Sequence, residues 1–232
     1  MFHRSRLFGY TGNLFFFKTV QNAYVMLKKH SLFVLVLLLL GGFSFVFLYE
    51  KKSQKAEMAN TYSLTQAEEN ALQEGDIILR HGFGLISDAI AKYAKDPYSI
   101  SHCGMVVKDS TGNWAVIHTV SNSLAEIDGM QKDELKKFVR ESQPNSIIVT
   151  RYRFQNEEQR QKAVAQAYYY LQKQIPFDNE FNSADSSKFF CTELIWNVFY
   201  HGIGIDLYEP SPQYDGMNFA AFLDERNFMI IK

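Results

Sequence analysis

A thiol and an imidazole occur in two sequence contexts that suit a cysteine nucleophile and its base. Cys191 lies in the sequence KFFCTELIW, and His102 lies in the sequence ISHCGMVV. We predict that Cys191 begins a helix, where unpaired backbone N–H groups and the helix dipole favour thiolate over thiol. We predict that His102 lies on a strand. Together the two residues indicate nucleophilic catalysis by a thiolate.

The helix predicted after Cys191 places the thiol on its buried side. Its apolar positions Leu194, Ile195, Val198 and Phe199 form one stripe, and Cys191 precedes the first two by three and four residues. The N–H groups of the first turn could also hold the oxyanion formed when the thiolate attacks a carbonyl. The alternative is a structural buried cysteine, which is common for free cysteine.

A predicted hairpin brings a second histidine to the first. A five-residue loop, residues 109–113, joins two apolar stretches, and the register that it sets places Gly104 opposite His118. His102 is then diagonal to His118 on one face of the sheet. One imidazole could therefore act as the base and the other could orient it. The alternative is two unrelated histidines on a half-exposed sheet.

Cys103 offers a competing use for the thiol. It follows His102 directly, so on a strand its side chain points to the opposite face. Two cysteines in an exported chain favour a disulfide, but a Cys103–Cys191 bond would take the thiol away from His102, so we expect only one of the two arrangements. A metal site built from His81, His102, His118 and Cys191 is a third interpretation, which no short His or Cys ligand spacing supports.

An uncharged apolar run, residues 32–49, is long enough to cross a bilayer as a helix. A cleaved signal peptide has a similar pattern, but the run is longer than a signal core and no Ala-x-Ala site follows. We therefore predict an uncleaved single-pass anchor in the cell membrane, with the larger C-terminal part on the periplasmic or extracytoplasmic side. The N-terminal tail, residues 1–31, mixes large apolar and polar residues and could include an interfacial helix, with a helical lead-in to the span as the alternative.

The remaining sequence is predicted to contain a polar stalk, residues 50–69, and one catalytic domain, residues 70–232. The chain is 47% hydrophobic and 21% charged, which is typical of a globular protein. The formal net charge of −1 gives no electrostatic reason to bind nucleic acid. The sequence does not indicate an oligomeric state.

Local patterns in the catalytic domain predict an α+β fold with an antiparallel sheet packed against helices. The final helix is expected to end at Gly202, and Pro176 is expected to follow the long helix before it. Strands are predicted at residues 75–80, 102–108, 114–120 and 146–152, and helices at residues 85–93, 133–140, 157–174 and 191–200.

Four stretches of this domain resemble the permuted papain-like amidases of the YaeF/YiiX group, which are related to NlpC-type cell-wall peptidases and to lecithin retinol acyltransferase. The stretches are GDII at residues 75–78, YSISHCGMV at 98–106, PFD at 176–178 and FCTELIW at 190–196. The resemblance implies a circularly permuted papain-like fold in which the histidine precedes the cysteine. It implies Cys191 as the nucleophile, His102 as the base and His118 as the third polar residue. Many members of the group have glutamate at that third position, so His118 is closer to the acyltransferase branch.

These observations lead to a membrane-anchored cysteine hydrolase that cleaves an amide bond, such as that of a cell-wall peptide, through an acyl-enzyme and without a cofactor. Phenylalanines near the nucleophile could instead line a site for an acyl chain, which would suit a lipid esterase or acyltransferase. Core packing is the ordinary role of such residues. A non-catalytic module that binds a peptide or lipid in the same cleft is a further alternative. The phenylalanines concerned are Phe177, Phe181, Phe189 and Phe190.

Overall fold

The computed structural model describes residues 10–94, 96–122, 127–208 and 218–232, without the side chains of residues 10–25, 27 and 29. The chain divides into two compact units, Met1–Glu50 and Lys51–Lys232. The helix α1, Tyr10–Met58, includes the whole predicted anchor. Within it, His30–Met58 is long and apolar enough to cross a membrane, a property that signal sequences share. The predicted interfacial segment also falls in α1, with most of its side chains outside the described residues.

The second unit is built around one sheet. Six strands lie in the order β4-β3-β2-β1-β5-β6, and every neighbouring pair is antiparallel. This arrangement confirms the α+β class. The strands are β1 Ile77–Arg80, β2 His102–Lys108, β3 Trp114–Val120, β4 Gly129–Glu134, β5 Ile148–Tyr152 and β6 Phe228–Ile230; the helices are α2 Gln66–Ala71, α3 Leu85–Ala94, α4 Leu135–Arg140, α5 Glu157–Lys173, α6 Cys191–Ile203 and a 3-10 helix, Phe219–Leu223.

The two faces of the sheet bury different side chains because successive residues of a strand point in opposite directions. On one face, Met105 of β2 packs in a core that includes Leu194 and Phe199 of α6. On the other face, Val106 packs in a second core with Phe138 of α4. The central strands are therefore covered on both sides, and each face can present a different set of functional groups.

The segment predicted as a polar stalk, residues 50–69, is largely structured. Lys51 to Met58 continue α1 as a helix. Beyond it, the amide of Asn60 donates hydrogen bonds to the carbonyl oxygens of Arg140 and Ser142, and Leu64 is buried in the core beside α4. These contacts extend the second unit well before residue 70, so the polar composition of the segment reflects a solvated helix face and not a free linker.

Two predicted boundaries also differ from the structure. Asp133 belongs to β4 and not to a helix, which begins only at Leu135. The last helix continues past Gly202 and ends at Gly204, whose φ of 70° is the left-handed conformation that glycine adopts at helix ends. The first difference changes which side chains face the two histidines.

Candidate active site

The hairpin forms in the register that the loop length predicts, and it joins the two histidines. Lys108 pairs with Trp114 and Met105 with Ile117, which places the next position of β2, Gly104, beside His118. The Nε2 atom of His102 lies 2.9 Å from Nδ1 of His118, a hydrogen-bond distance. The predicted contact between the two imidazoles is therefore present in the structure.

Gly104 leaves the space that this contact needs. A Cβ atom at Gly104 would lie 2.5 Å from a methyl carbon of Val116, 2.9 Å from the carbonyl oxygen of Ile117 and 3.0 Å from Cβ of His118. None of these distances is compatible with normal packing. Glycine is required here because the backbone of β2 approaches β3 closely.

The histidine pair lies in an apolar and cationic environment. The ring of Phe138 contacts both imidazoles, with centroid distances of 5.8 Å to His102 and 5.3 Å to His118. The guanidinium carbon of Arg80 lies 4.1 Å from the centroid of the same ring. Burial, followed by the charge of Arg80 and the neighbouring His118, lowers the pKa of His102 well below 6.5. His102 is therefore neutral at neutral pH, which is the form that can accept a proton.

Asp133 extends the pair to a third strand, a contact that the sequence analysis missed. Its Oδ2 atom lies 3.2 Å from Nε2 of His118, and its Oδ1 atom accepts a hydrogen bond of 2.9 Å from Nζ of Lys137. Burial acts to raise the pKa of Asp133, but the hydrogen bonds from His118 and Lys137 lower it to about 2. Asp133 is thus a carboxylate at neutral pH. On a strand, Gln131 and Asp133 lie on the same face, and this alternation is the sequence signal that could have identified Asp133 as a neighbour of His118.

Cys191 is the first residue of α6, as predicted. The preceding residue, Phe190, is the N-cap, and its backbone N–H donates to a carboxyl oxygen of Glu193 at 3.3 Å. Burial raises the pKa of Glu193 to about 7. The backbone N–H groups of Cys191 and Thr192, at the start of α6, are directed at the Cys191 sulfur and lower the pKa of the thiol.

The Cys191 thiol lies beside Cys103. A hydrogen bond from the Cys103 thiol is the largest influence that lowers the pKa of Cys191, and burial acts in the opposite direction. Burial raises the pKa of Cys103 well above 9.0, and the neighbouring Cys191 adds to the increase. Cys103 is completely buried, and both cysteines are free. The buried thiol therefore stays protonated and acts as a donor to the more acidic Cys191.

The sulfur of Cys191 reaches the start of β2, where residues 102–105 pair with β1. The backbone N–H of Cys103 points at the Cys191 sulfur. On the β3 side, the hydroxyl of Thr119 donates to the carbonyl oxygen of Phe189 at 3.4 Å. These hydrogen bonds join the start of α6 to Cys103 of β2 and to Thr119 of β3. Cys103 is the residue that follows His102.

The structure places the three predicted residues in one region but does not link all of them. His102 and His118 are hydrogen-bonded to each other, whereas no hydrogen bond joins the His102 ring to the Cys191 sulfur among the described residues. The His102 ring packs on Phe138, on the sheet face opposite the core that contains Cys103. The thiol contacts Cys103 without a disulfide.

The residues considered for a metal site are separated. The ring of His81 forms a hydrogen bond of 2.9 Å with the carboxyl of Asp88, and the facing nitrogens of His102 and His118 are directed at each other. Throughout the described ranges there is no group of three or more His, Cys, Asp or Glu side chains arranged to hold a metal ion. The four residues considered in the sequence therefore do not form a metal centre in the part of the chain that the structure describes.

Comparisons with known proteins give the fold and the family. The chain is similar to a solved structure titled as the metalloprotein yiiX from Escherichia coli O157:H7, with 19% sequence identity, a TM-score of 0.55, and coverage of 69% of this chain and 96% of that one. No curated protein sequence matches this chain significantly. Residues 71–215 match the family described as permuted papain-like amidase enzyme, YaeF/YiiX, C92 family. That match spans more than half of the chain and both motifs of the site, so this protein belongs to the YaeF/YiiX family of permuted papain-like amidases.

Proposed function

We propose that this protein is a membrane-anchored cysteine hydrolase that cleaves an amide bond through an acyl-enzyme on Cys191. His102 is the general base and His118 orients it. The observation that carries the proposal is the hydrogen-bonded pair of His102 and His118. The Cys191 sulfur accepts a hydrogen bond from the backbone N–H of Cys103, the residue that follows His102. A thiol at a helix N-terminus and a neutral imidazole in the same region are the parts that nucleophilic catalysis requires.

The reaction proceeds in two steps. His102 accepts the proton of the Cys191 thiol, and the sulfur forms a bond to the carbonyl carbon of the substrate. The backbone N–H groups at the start of α6 stabilise the resulting oxyanion. The C–N bond then breaks as the amine leaves with the proton from His102. Water, deprotonated by His102, hydrolyses the thioester and releases the acid and the free thiol.

The proton transfer requires His102 to come within hydrogen-bond reach of the sulfur. Catalytic hydrogen bonds are often long in the free enzyme and shorten in the substrate complex. His102 is the first residue of β2, where it pairs with Arg80 of β1, and we propose that its side chain moves when substrate binds. This movement must bring the ring from the sheet face that it shares with Phe138 to the side on which the Cys191 sulfur lies.

The anchor and the family together suggest where the substrate is found. Residues 32–49 lie in a helix that is long and apolar enough to cross a membrane, and the family is one of amidases. We propose that the helix remains attached and that the enzyme acts on the extracytoplasmic side, where cell-wall peptides supply amide bonds.

A lipid esterase or acyltransferase is the second candidate function, because one aromatic side chain beside the nucleophile is exposed. Phe189 and Phe190 are each 2% exposed and belong to the core, whereas Phe181 is 41% exposed. The Phe181 ring contacts Phe190, which precedes Cys191, at a centroid distance of 5.6 Å, and it contacts the half-buried Phe177 at 6.1 Å. An exposed aromatic surface in this position suits an acyl chain.

Incubating the purified full chain with muropeptides and, separately, with phospholipid vesicles tests the two candidates. We expect peptide products to accumulate from the muropeptides, measured by liquid chromatography and mass spectrometry. Release of fatty acid alone would favour the lipid enzyme, in which case Phe181→Ser should raise the KM for the lipid and leave the thermal stability unchanged. Absence of turnover with both substrates would contradict hydrolysis of either class.

The pH dependence of kcat/KM should reflect the lowered pKa of His102. The base must be neutral, and burial together with Arg80 keeps it neutral below its ordinary pKa of 6.5. We therefore expect activity to persist as the pH falls through 6.5 and to be lost only at lower pH. The Glu193 carboxyl, with a pKa of about 7, could also shape the pH profile. A Glu193→Gln variant keeps a hydrogen-bond acceptor but cannot titrate, so its profile contains no contribution from that group. Loss of activity centred at or above pH 6.5 in this variant would contradict a buried neutral base.

A further inference from the structure

We propose that Asp133 is the positioning residue that sets the tautomers of His118 and His102, and thereby leaves Nδ1 of His102 as the basic nitrogen. The inference rests on the proposed function, because it assigns the atom of His102 that accepts the thiol proton. It adds a residue from a third strand to the site.

The placement of the three side chains follows from the sheet. His118 pairs with Gln131 of β4, so Asp133 is diagonal to His118 on the same face. His102 is diagonal to His118 on the other side, where Gly104 leaves room. Three adjacent strands thus each contribute one side chain to a continuous line of hydrogen bonds, with distances of 2.9 Å between the rings and 3.2 Å to the carboxylate.

The carboxylate determines where each proton resides. A carboxylate only accepts hydrogen bonds, so Nε2 of His118 must carry a proton and donate it to Asp133. In a neutral imidazole the other nitrogen then has no proton, and Nδ1 of His118 accepts. Nε2 of His102 must therefore donate to it, which leaves a lone pair on Nδ1 of His102. The carboxylate of Asp133 therefore sets the position of the proton on both rings.

Lys137 fixes the orientation of the carboxylate. Its ammonium donates to Oδ1 of Asp133 at 2.9 Å, while Oδ2 faces His118. Lys137 also lies 3.8 Å from Glu141, which interacts in turn with Arg80 at 3.4 Å. The ammonium favours an acceptor at the Oδ1 position, so an amide that replaces Asp133 is expected to turn its oxygen toward Lys137.

Because of this preference, Asp133→Asn tests the tautomer assignment more directly than truncation to alanine. The asparagine amide has one oxygen and one NH2 group, and with its oxygen toward Lys137 its NH2 group faces Nε2 of His118. That nitrogen must then accept, so the proton moves to Nδ1 of His118, which donates to Nε2 of His102. The remaining proton of His102 is placed on Nδ1, where it blocks the base. A carboxylate-to-amide change of this kind can lower kcat by about 10²-fold or more through the wrong tautomer.

The experiment measures the ring 15N chemical shifts of the histidines, with His102→Gln and His118→Gln for assignment, together with kcat, in the full chain solubilised in detergent. We expect Nε2–H on both rings in the wild type and Nδ1–H on both in Asp133→Asn. We expect kcat to fall about 10²-fold in Asp133→Asn and less in Asp133→Ala, which imposes no reversed donor. Asp133→Asn combined with Lys137→Met lets the amide turn its oxygen to His118 and should recover part of the lost kcat.

The results distinguish positioning from support of the fold. A purely structural role would make Asp133→Ala the more damaging change and would give no recovery in the double variant. Unchanged tautomers in Asp133→Asn, or a greater loss of kcat in Asp133→Ala, would overturn the inference. The ring shifts do not depend on turnover, so activity that survives Cys191→Ala would refute the proposed function and leave the tautomer assignment separately testable.

Discussion

Replacing Cys191 with alanine is expected to reduce turnover to the background rate, a loss on the order of 10⁴-fold or more. The reason is that no other described thiol can form the acyl-enzyme: Cys103 is completely buried, and burial raises the pKa of its thiol well above 9.0. The measurement is the steady-state rate of product release from muropeptides, or from phospholipid if only the lipid is turned over. The free energy of unfolding should change by about 1 kcal/mol or less, because the lost sulfur lies at a half-buried helix end.

Cys103→Ala is the matched control for this change. It removes the only other cysteine of the chain and leaves the proposed nucleophile in place. We expect turnover to continue at a reduced rate, since the loss of the Cys103 thiol removes the largest influence that lowers the pKa of Cys191. Equal and complete losses in the two variants, with both proteins folded, would contradict separate roles for the two thiols.

Gly104→Ala is expected to damage both stability and activity. The new Cβ would meet a methyl carbon of Val116 at 2.5 Å and the backbone of Ile117 at 2.9 Å, so β2 and β3 must separate. Such overpacking costs about 1–3 kcal/mol of unfolding free energy. The same separation would lengthen the contact between His102 and His118. We expect kcat to fall at least about 10-fold, less than the roughly 10²–10⁴-fold that a positioned base contributes, because the contact is lengthened and not removed. Urea unfolding and steady-state kinetics measure the two effects.

Gly112→Ala is the control that distinguishes loss of stability from loss of the histidine contact. Gly112 lies in the hairpin turn with a φ of 83°, and a Cβ there would have no atom within 4 Å. Alanine is strained at this φ, so the variant should lose about 1 kcal/mol of stability without touching the histidines. We expect its kcat to match that of the wild type. If Gly112→Ala loses as much kcat as Gly104→Ala, the effect reflects general destabilisation and not the geometry of the histidine pair.

The hairpin and its histidines could be predicted because their geometry is local. An odd number of residues in the loop fixes which side chains share a face, and the predicted strands match β2 and β3 residue for residue. The start of α6 at Cys191 could be predicted for a similar reason, since an apolar helical stripe begins three residues later. These two local patterns, with the motifs of the family, identified the candidate residues.

Asp133 could not be found in the same way because local patterns were ambiguous there. The run from Asp133 to Arg140 contains residues that favour helix, and a short strand that ends where a helix begins has no turn residue to mark its boundary. Asp133 adopts a strand conformation because β4 pairs with β3. This pairing is a tertiary interaction, so the secondary-structure propensity of the local sequence does not predict it.

The position of the thiol relative to the sheet also depends on tertiary structure. The sequence predicts that Cys191 faces the core, and the structure places its sulfur next to Cys103, as the competing interpretation required. The thiol nevertheless lies beside Cys103, the residue that follows His102 at the start of β2. Strand alternation predicts that the His102 ring and the Cys103 side chain lie on opposite faces, and the packing of His102 on Phe138 agrees with it.

Detection of a thioester on Cys191 is the most direct test of the proposed mechanism. The full chain is mixed with the substrate, quenched in acid within the first turnover and digested, and the peptide that contains Cys191 is analysed by mass spectrometry. We predict a mass increase equal to the acyl part of the substrate on this peptide, absent from the peptide that contains Cys103 and absent from all peptides of Cys191→Ala. Turnover with no adduct on Cys191, or an adduct on another residue, would contradict the assignment of the nucleophile.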